Sequence, residues 1–507
     1  MSQTNTPTER FAGVPLALTG AGLAVFITVM ALQPVWVLDI IRLLHRFVAA
    51  RLSAWYVLSA SAFVVAALYL AFSRHGLKII GRPDERPRFS LSAWLTLLLS
   101  AGLGLGVLFL GVADTLTRFA APSTGVAPYG SEAAREAMQT VYLQWGIHMW
   151  AIPLVTGLAL GWFHFRRDTP IRLSSTLFPL VGFRAERYPG HVVNACVVLG
   201  GAVAAASTLG FASLQLAAGV SSLIGLENSP ALVLASLLVI TAIPMSLVLL
   251  KRHRQVQLLR RPATISAGVL MLLLLLIGPG NWILSFFSTT LGDYLTNLPG
   301  LALGSGVIAG GHASGEQSLF YWAFWMVWAP FTGVFLVSVS RGRTIRSCVI
   351  ASLTIPVVGI LLVLAISAGA GLYLELERGI LVADAIASAP ESAMFVILSE
   401  FRFSFVLRFV LVLIVGGFGV VMLDSSSWFL SRLSLPADSS MKLFTRVLWL
   451  VLTGALAAVM VVSAGVTGFR SLVIVAALPV MPVLLLSLAG LIWALRYEDR
   501  EKSASVS

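Results

Sequence analysis

Charge is what this chain has least of. Only 11% of its 507 residues are Asp, Glu, Lys or Arg, where soluble domains carry about 25%. Apolar residues make up 58%, and the mean hydropathy is +0.92. A soluble enzyme, a disordered chain and a secreted disulfide scaffold are excluded on these grounds. Cysteine is nearly absent. Cys196 and Cys348 each sit in an apolar run and read as small buried hydrophobes, without a disulfide framework or metal spacing. There is no HExxH, no GxSxG turn and no phosphate-binding Gly-Lys loop, and the histidines are scattered. Neither an enzyme nor a cofactor is expected. The net charge of +12 comes from short Lys/Arg clusters between apolar runs. That is a topogenic pattern and not a nucleic-acid-binding face.

What remains is an all-α polytopic membrane protein. Apolar runs fall near 13–32, 53–73, 91–112, 139–163, 191–223, 229–250, 262–284, 317–338, 347–371, 403–423, 444–466 and 470–494. Each is long enough to cross roughly 30 Å of hydrocarbon as a helix, so twelve spans are expected. The polar first twelve residues lead into a run with no convincing small-x-small cleavage site, which reads as a first span and not as a removed leader. An even count places both termini on one side. The connections 74–90, 164–190 and 251–261 carry five Lys or Arg each, and 285–316 carries none. Both termini are therefore expected in the cytoplasm, with the protein in the plasma (inner) membrane. No tail or loop is long enough to bury a soluble core. Residues 281–297 read as an amphipathic piece lying at the interface.

Four features carry chemistry. The third span holds Gly102, Gly104 and Gly106 at spacing two, where helix packing uses spacing four. They read either as a loosened helix whose backbone approaches a ligand or as a close crossing of small residues. Five of the 13 tryptophans lie in two segments: Trp145 and Trp150 in QWGIHMWAIP, and Trp322, Trp325 and Trp328 in LFYWAFWMVWAP. An interfacial aromatic belt explains Trp145 and Tyr321. An aromatic cage for a cation suits Trp328 better, eleven residues into its span. Intramembrane acids are functional candidates by default, yet Asp114 reads as solvated near the outer surface. Asp424, followed by Ser425, Ser426 and Ser427, reads as the hydrogen-bonded end of the tenth helix. His148 reads as a packing residue. The stretch SRGRTIR at 340–346 reads as a topogenic loop, with an inner gate or a lipid contact as the other readings.

Together these pieces resemble the betaine/choline/carnitine transporter family. The likeness runs from about 55 to 480 and is strongest at SAGLGLGVLFLGVADTLT, WGIHMWAIPLVTGLALGWFHFR, AASTLGFASLQLAAG and FYWAFWMVWAPFTGVFLVSVSRGRTIR. The resemblance implies twelve helices, two peripheral ones within 13–90 and ten in two inverted five-helix repeats of the LeuT-like type. These are 91–284 (helices 3–7) and 317–496 (helices 8–12), joined by an outer segment 285–316, with cytoplasmic tails 1–12 and 497–507. It implies alternating-access transport of glycine betaine, choline, carnitine or a related solute. The substrate would sit between the glycine-broken third helix, at Gly102, Gly104 and Gly106, and a cage of Phe324, Trp325 and Trp328. Trp145 and Trp150 would line the route from outside. A homotrimer is the family's frequent assembly.

Some positions depart from the family pattern. Phe324 replaces a usual tryptophan, Pro153 a usual tyrosine, and Gly106 stands where choline-selective members tend to carry an aspartate. Sodium-coupled members place a threonine and a serine after a phenylalanine in the tenth helix. Here the phenylalanine is Phe418 and the ligand positions are Val421 and Met422, which offer no side-chain oxygen. Thr208, at a second coupling position, keeps its hydroxyl, and Asp114 is a further coupling candidate. Loss of the tenth-helix sodium site is expected, with a proton or a counter-substrate as partner. The altered cage leaves another small zwitterion, an amino acid or ectoine, as an alternative cargo. An intramembrane enzyme or a non-transporting sensor is the remote alternative.

Overall fold

The computed structural model describes residues 14–102, 106–123, 125–252, 255–303, 312–435 and 441–506. Gly104 and the tail 1–12 lie outside them. The described chain is almost wholly helical. No β-strand occurs among the described residues beyond an isolated bridge between Ile79 and Thr344. This follows from composition: in hydrocarbon, each backbone N–H and C=O must be satisfied within the segment, and a helix does so.

The helices are α1 (Val14–Leu32), α2 (Pro34–Arg51), α3 (Ser53–Phe72), α4 (Leu91–Gly102), α5 (Val112–Ala120), α6 (Ser131–Trp145), α7 (Ile147–Arg167), α8 (Tyr188–Ile224), α9 (Pro230–Leu249), α10 (Val256–Ile277), α11 (Gly280–Leu303), α12 (His312–Val339), α13 (Ile345–Arg378), α14 (Ser404–Ser434) and α15 (Leu443–Val506). A π-helical turn, Val107–Gly111, precedes α5. Nine helices among the described residues are long and apolar enough to cross a membrane, or ten if α1 and α2, bent by 115°, form one span. The expected count was twelve. The third span is divided between α4 and α5, and the last two runs are fused in α15, which bends at Gly465 (φ +56°). The segment 285–316 is largely helix, since α11 runs to Leu303. The tail expected from 497 continues α15 to Val506.

Exposed side chains such as Leu238, Leu276, Phe405 and Leu413 form the outside of the bundle, as suits a surface wetted by lipid. Inside, α7 packs along α12, and α8 packs against α14 and α15. The α7–α12 crossing is made by Gly157 and Gly161 on one side and Gly333 on the other. A Cβ on Gly157 would meet the Gly333 carbonyl, and one on Gly333 would meet the Gly157 nitrogen at 2.7 Å. The two backbones touch, the arrangement that a Gly-x-x-x-Gly stripe permits.

One end of the bundle is basic and tightly tied. Lys78 bonds Asp499 at 2.6 Å, and Arg166 bonds Glu498 at 2.6 Å. The turn within 340–346 depends on Gly342 (φ +82°), whose N–H donates to the Ile80 carbonyl at 2.8 Å. Arg343 lies 4.0 Å over the Trp94 ring, and Arg346 donates to the Ala71 carbonyl at 2.7 Å. This loop is docked on its neighbours.

The crossing yields a test. Gly333→Val puts a branched side chain where backbone atoms already touch. It is expected to cost at least about 3 kcal/mol, the top of the usual overpacking range. Thermal unfolding in detergent should fall well below that of Gly416→Ala, whose site has open space. Equal melting of the two would remove the backbone contact from the account.

Candidate functional site

A cavity of about 680 Å³ lies among α4, the π turn, α6, α7, α8, α10, α12, α14 and α15. Its size suits one small solute. It runs along α12 from Phe324 to Ser338, toward the basic end.

The walls are aromatic because two helices deliver rings on one side. On α12, Phe324, Trp328, Phe331 and Phe335 recur at spacings of three and four and so share a stripe. Phe324 meets Trp328 at 6.4 Å between centroids, Trp328 meets Phe331 at 5.2 Å, and Phe331 meets Phe429 of α14 at 5.1 Å. Trp325 stands edge-to-face with Trp145 at 5.1 Å and with Phe324 at 5.1 Å. Its Nε1 donates to the Gln144 carbonyl at 2.8 Å. That carbonyl is free to accept because the helix stops at Trp145. Gly146 (φ −90°, ψ −129°) separates α6 from α7, so Trp145 and Trp150, which fall in one apolar run of the sequence, belong to two helices. Both still line the cavity, as do Pro153, Phe324, Trp325 and Trp328.

The glycine-rich stretch interrupts its helix. Gly102 ends α4, Gly106 lines the cavity, and the π turn follows. A Cβ on Gly106 would lie 2.7 Å from Cη2 of Trp145. π turns leave backbone carbonyls without their usual donor, and here Gln215 Nε2 donates to the Leu108 carbonyl at 3.3 Å.

Phe418, Val421, Met422 and Thr208 all reach the cavity. The Thr208 hydroxyl donates to the Ala204 carbonyl at 3.0 Å. Asp424 corrects a sequence expectation. It does not end the tenth helix, since α14 continues to Ser434. It is buried on the cavity wall in an ion pair with Arg446. Sequence reasoning also missed Arg260, which lines the cavity, lies over Phe335 at 5.3 Å and donates to Ser100 Oγ at 3.3 Å. As one of the five basic residues of the connection 251–261, it carries no signal that separates the two roles. Phe331 and Phe335 were findable, as the next two steps of the α12 stripe.

Asp114 corrects a second expectation. It is 7% exposed and not solvated. Oδ2 accepts from the Tyr321 hydroxyl at 2.7 Å, and Oδ1 accepts from Arg470 at 2.6 Å. Arg470 lies 5.1 Å over the Phe320 ring. Tyr321 stands edge-to-face with Trp145 at 5.7 Å. This cluster seals the cavity beyond Trp145, away from the basic end. His148 packs against Trp322 at 5.1 Å and does not line the cavity.

A sequence model described as the betaine/carnitine/choline family transporter matches residues 16–500. The chain is 30% identical to a glycine betaine transporter of Bacillus subtilis (strain 168), over 90% of this chain and 89% of the relative. It is 30% identical to a high-affinity choline transport protein of Escherichia coli (strain K12), over 89% and 67%. It is 33% identical to an uncharacterised transporter of Mycobacterium tuberculosis (strain ATCC 25618 / H37Rv), over 88% and 76%.

The Trp325–Gln144 bond can be tested without any ligand. Trp325→Phe keeps a ring but strands the carbonyl at the break. It is expected to lower stability by about 1–2 kcal/mol, the upper range for a bond between membrane helices. Thermal melting of the purified protein reads this, and an unchanged midpoint would mean that the bond does not hold α12 to the break.

Proposed function

The chain belongs to the betaine/carnitine/choline family of transporters, and from that premise we propose that it is a secondary carrier of a quaternary-ammonium or related zwitterionic solute. The observation that carries the reading is the cavity lining. Trp145, Phe324, Trp325 and Trp328 present π-faces, and the acid on the wall, Asp424, is already paired with Arg446. A trimethylammonium group donates no hydrogen bond, so aromatic faces suit it better than a carboxylate. The cargo would lie between these rings and the interrupted helix at Gly102 and Gly106. Phe324 is a weaker partner for a cation than tryptophan, which keeps a less cationic zwitterion, an amino acid or ectoine, as the second reading.

On this reading the basic end faces the cytoplasm and the protein sits in the plasma membrane. Taking the bent pair α1 and α2 as one span, joining α4 and α5 across their break as another and dividing α15 at Gly465 supports the family's twelve spans, with the inverted repeats at 91–284 and 317–496. The cavity runs toward the basic end while the Asp114 cluster closes the other, which supports an inward-facing state. The function is carriage and not chemistry. Val421 and Met422 face the cavity without a side-chain oxygen, so the tenth-helix sodium site is unused, and a proton or a counter-substrate drives exchange. A homotrimer is the assembly carried over from the family.

Uptake of labelled glycine betaine, choline and carnitine into proteoliposomes tests the reading. Uptake should persist without sodium, and Trp325→Ala should weaken apparent affinity about tenfold or more. No uptake of all three by folded protein would redirect the search to another zwitterion and make Phe324 the first residue to change. Val421→Thr combined with Met422→Ser should introduce sodium dependence. A sodium response equal to that of the unmodified chain would discard the lost-site argument.

A further inference from the structure

We infer that Arg118 and Arg470 form an outer station that reads the carboxylate of an arriving zwitterion and releases the plug at Asp114. The inference rests on the transport reading above and narrows its cargo to solutes that carry a carboxylate.

The argument starts from the hydrogen bonds of one acid. Asp114 and Arg118 are four residues apart on α5, a spacing that normally pairs them. Asp114 instead gives one oxygen to Tyr321 and the other to Arg470. Glu136 accepts from the Ser123 N–H and hydroxyl at 3.3 and 3.2 Å and makes no hydrogen bond to Arg118 Nε or Nη2. Arg118 is 6% exposed. Its Nε and Nη2 find no acceptor among the described residues, and neither does Nε of Arg470. Buried guanidinium groups without acceptors are costly, and they select for an anion that can reach them.

The edge left bare on Arg118 has a known use elsewhere in the molecule. Arg135 grips both oxygens of Asp293 through the same two atoms, Nε at 2.8 Å and Nη2 at 2.7 Å. Arg118 therefore presents, inside the protein, the edge that binds a carboxylate bidentately. A chloride ion is the other source of suitable negative charge.

The station adjoins the cavity. Arg470 lies over Phe320, and Tyr321, which holds Asp114, stands against Trp145 on the cavity wall. A carboxylate arriving at Arg118 and Arg470 competes with Asp114 for Arg470. Loss of that bond leaves Asp114 paired with Tyr321 but unties α5 from α15, and with them the closure beside the Trp145 ring. A cation without a carboxylate, such as choline, makes no such exchange.

Sided transport in proteoliposomes tests this, with labelled glycine betaine and choline as probes. Arg118→Gln should raise the outer KM for glycine betaine about tenfold or more, the scale of a lost charge-assisted pair. The inner KM and the inhibition by choline should stay within about twofold. Arg118→Lys, which keeps the charge without the fork, should fall between, and it decides the matter alone if the glutamine variant does not fold. Equal rises from both faces, or for choline as well, would overturn the station and leave a structural arginine. So would replacement of external chloride by gluconate, if it reproduced the variant. Unmodified protein that moves neither probe would overturn the quaternary-ammonium cargo on which the station rests, whereas normal uptake with an unchanged KM in the variants would overturn the station alone.

Discussion

The crossing of α7 and α12 at Gly157 and Gly333 sets the geometry on which the site depends. Two membrane helices gain little from the hydrophobic effect against each other, because lipid is as apolar as their side chains. They need close packing, and here the backbones meet. That contact fixes where the rest of α12 can point. With the halves of the two helices toward the basic end locked, Trp150 and Pro153 of α7 and Phe324, Trp325 and Trp328 of α12 line the cavity at the next level. The hydrogen bond from Trp325 to the Gln144 carbonyl then uses a group that a continuous helix would have consumed. Packing at one level of the bundle thus leaves a polar anchor at the next.

Charges follow the same logic of constraint. An ion in a membrane interior needs a partner, and removing one partner costs far more than the pair is worth. The pair of Asp424 with Arg446 joins α14 to α15 on the cavity wall, and that of Asp114 with Arg470 joins α5 to α15 beyond Trp145. Each ties one helix to another across a boundary of the cavity. Such contacts suit a machine with two states, since an ion pair is strong at contact distance and can be exchanged for another. The basic end is tied differently. Its bonds link loops and the far end of α15 into a surface knot through Lys78, Arg166, Glu498 and Asp499.

Much of this was legible in the letters. Apolar length gave the helices, and basic clusters marked one end. Glycines at spacing two left an interrupted third span as one of two readings, and Gly102, Gly106 and the π turn bound that interruption. The aromatic segments were seen, but their geometry was not. Trp145 and Trp150 fell in one expected span because a helix break at a glycine leaves no mark distinct from an ordinary glycine in a membrane helix. Asp424 looked like a helix end because a run of serines usually competes with helix. In α14 each of Ser426, Ser427 and Ser431 instead returns its hydroxyl to a carbonyl of the preceding turn, a bond that helices tolerate. Partners distant in sequence were beyond reach: nothing local says that Asp114 meets Arg470, 356 residues away.

Gly106 joins the two kinds of reading. From the resemblance, its lack of an aspartate argues against a pure choline carrier. The geometry adds a separate reason. Even the first carbon of a side chain at 106 would press on the Trp145 ring at 2.7 Å, and that ring also contacts Tyr321 and Trp325. A carboxylate at 106 therefore requires a different position for Trp145, and with it a different closed end of the cavity. The glycine is a condition of the present arrangement and not a neutral replacement. With Trp145 held in this place, the wall at 106 has no room for a side chain, and the acid that lines the cavity, Asp424, stands on α14 instead.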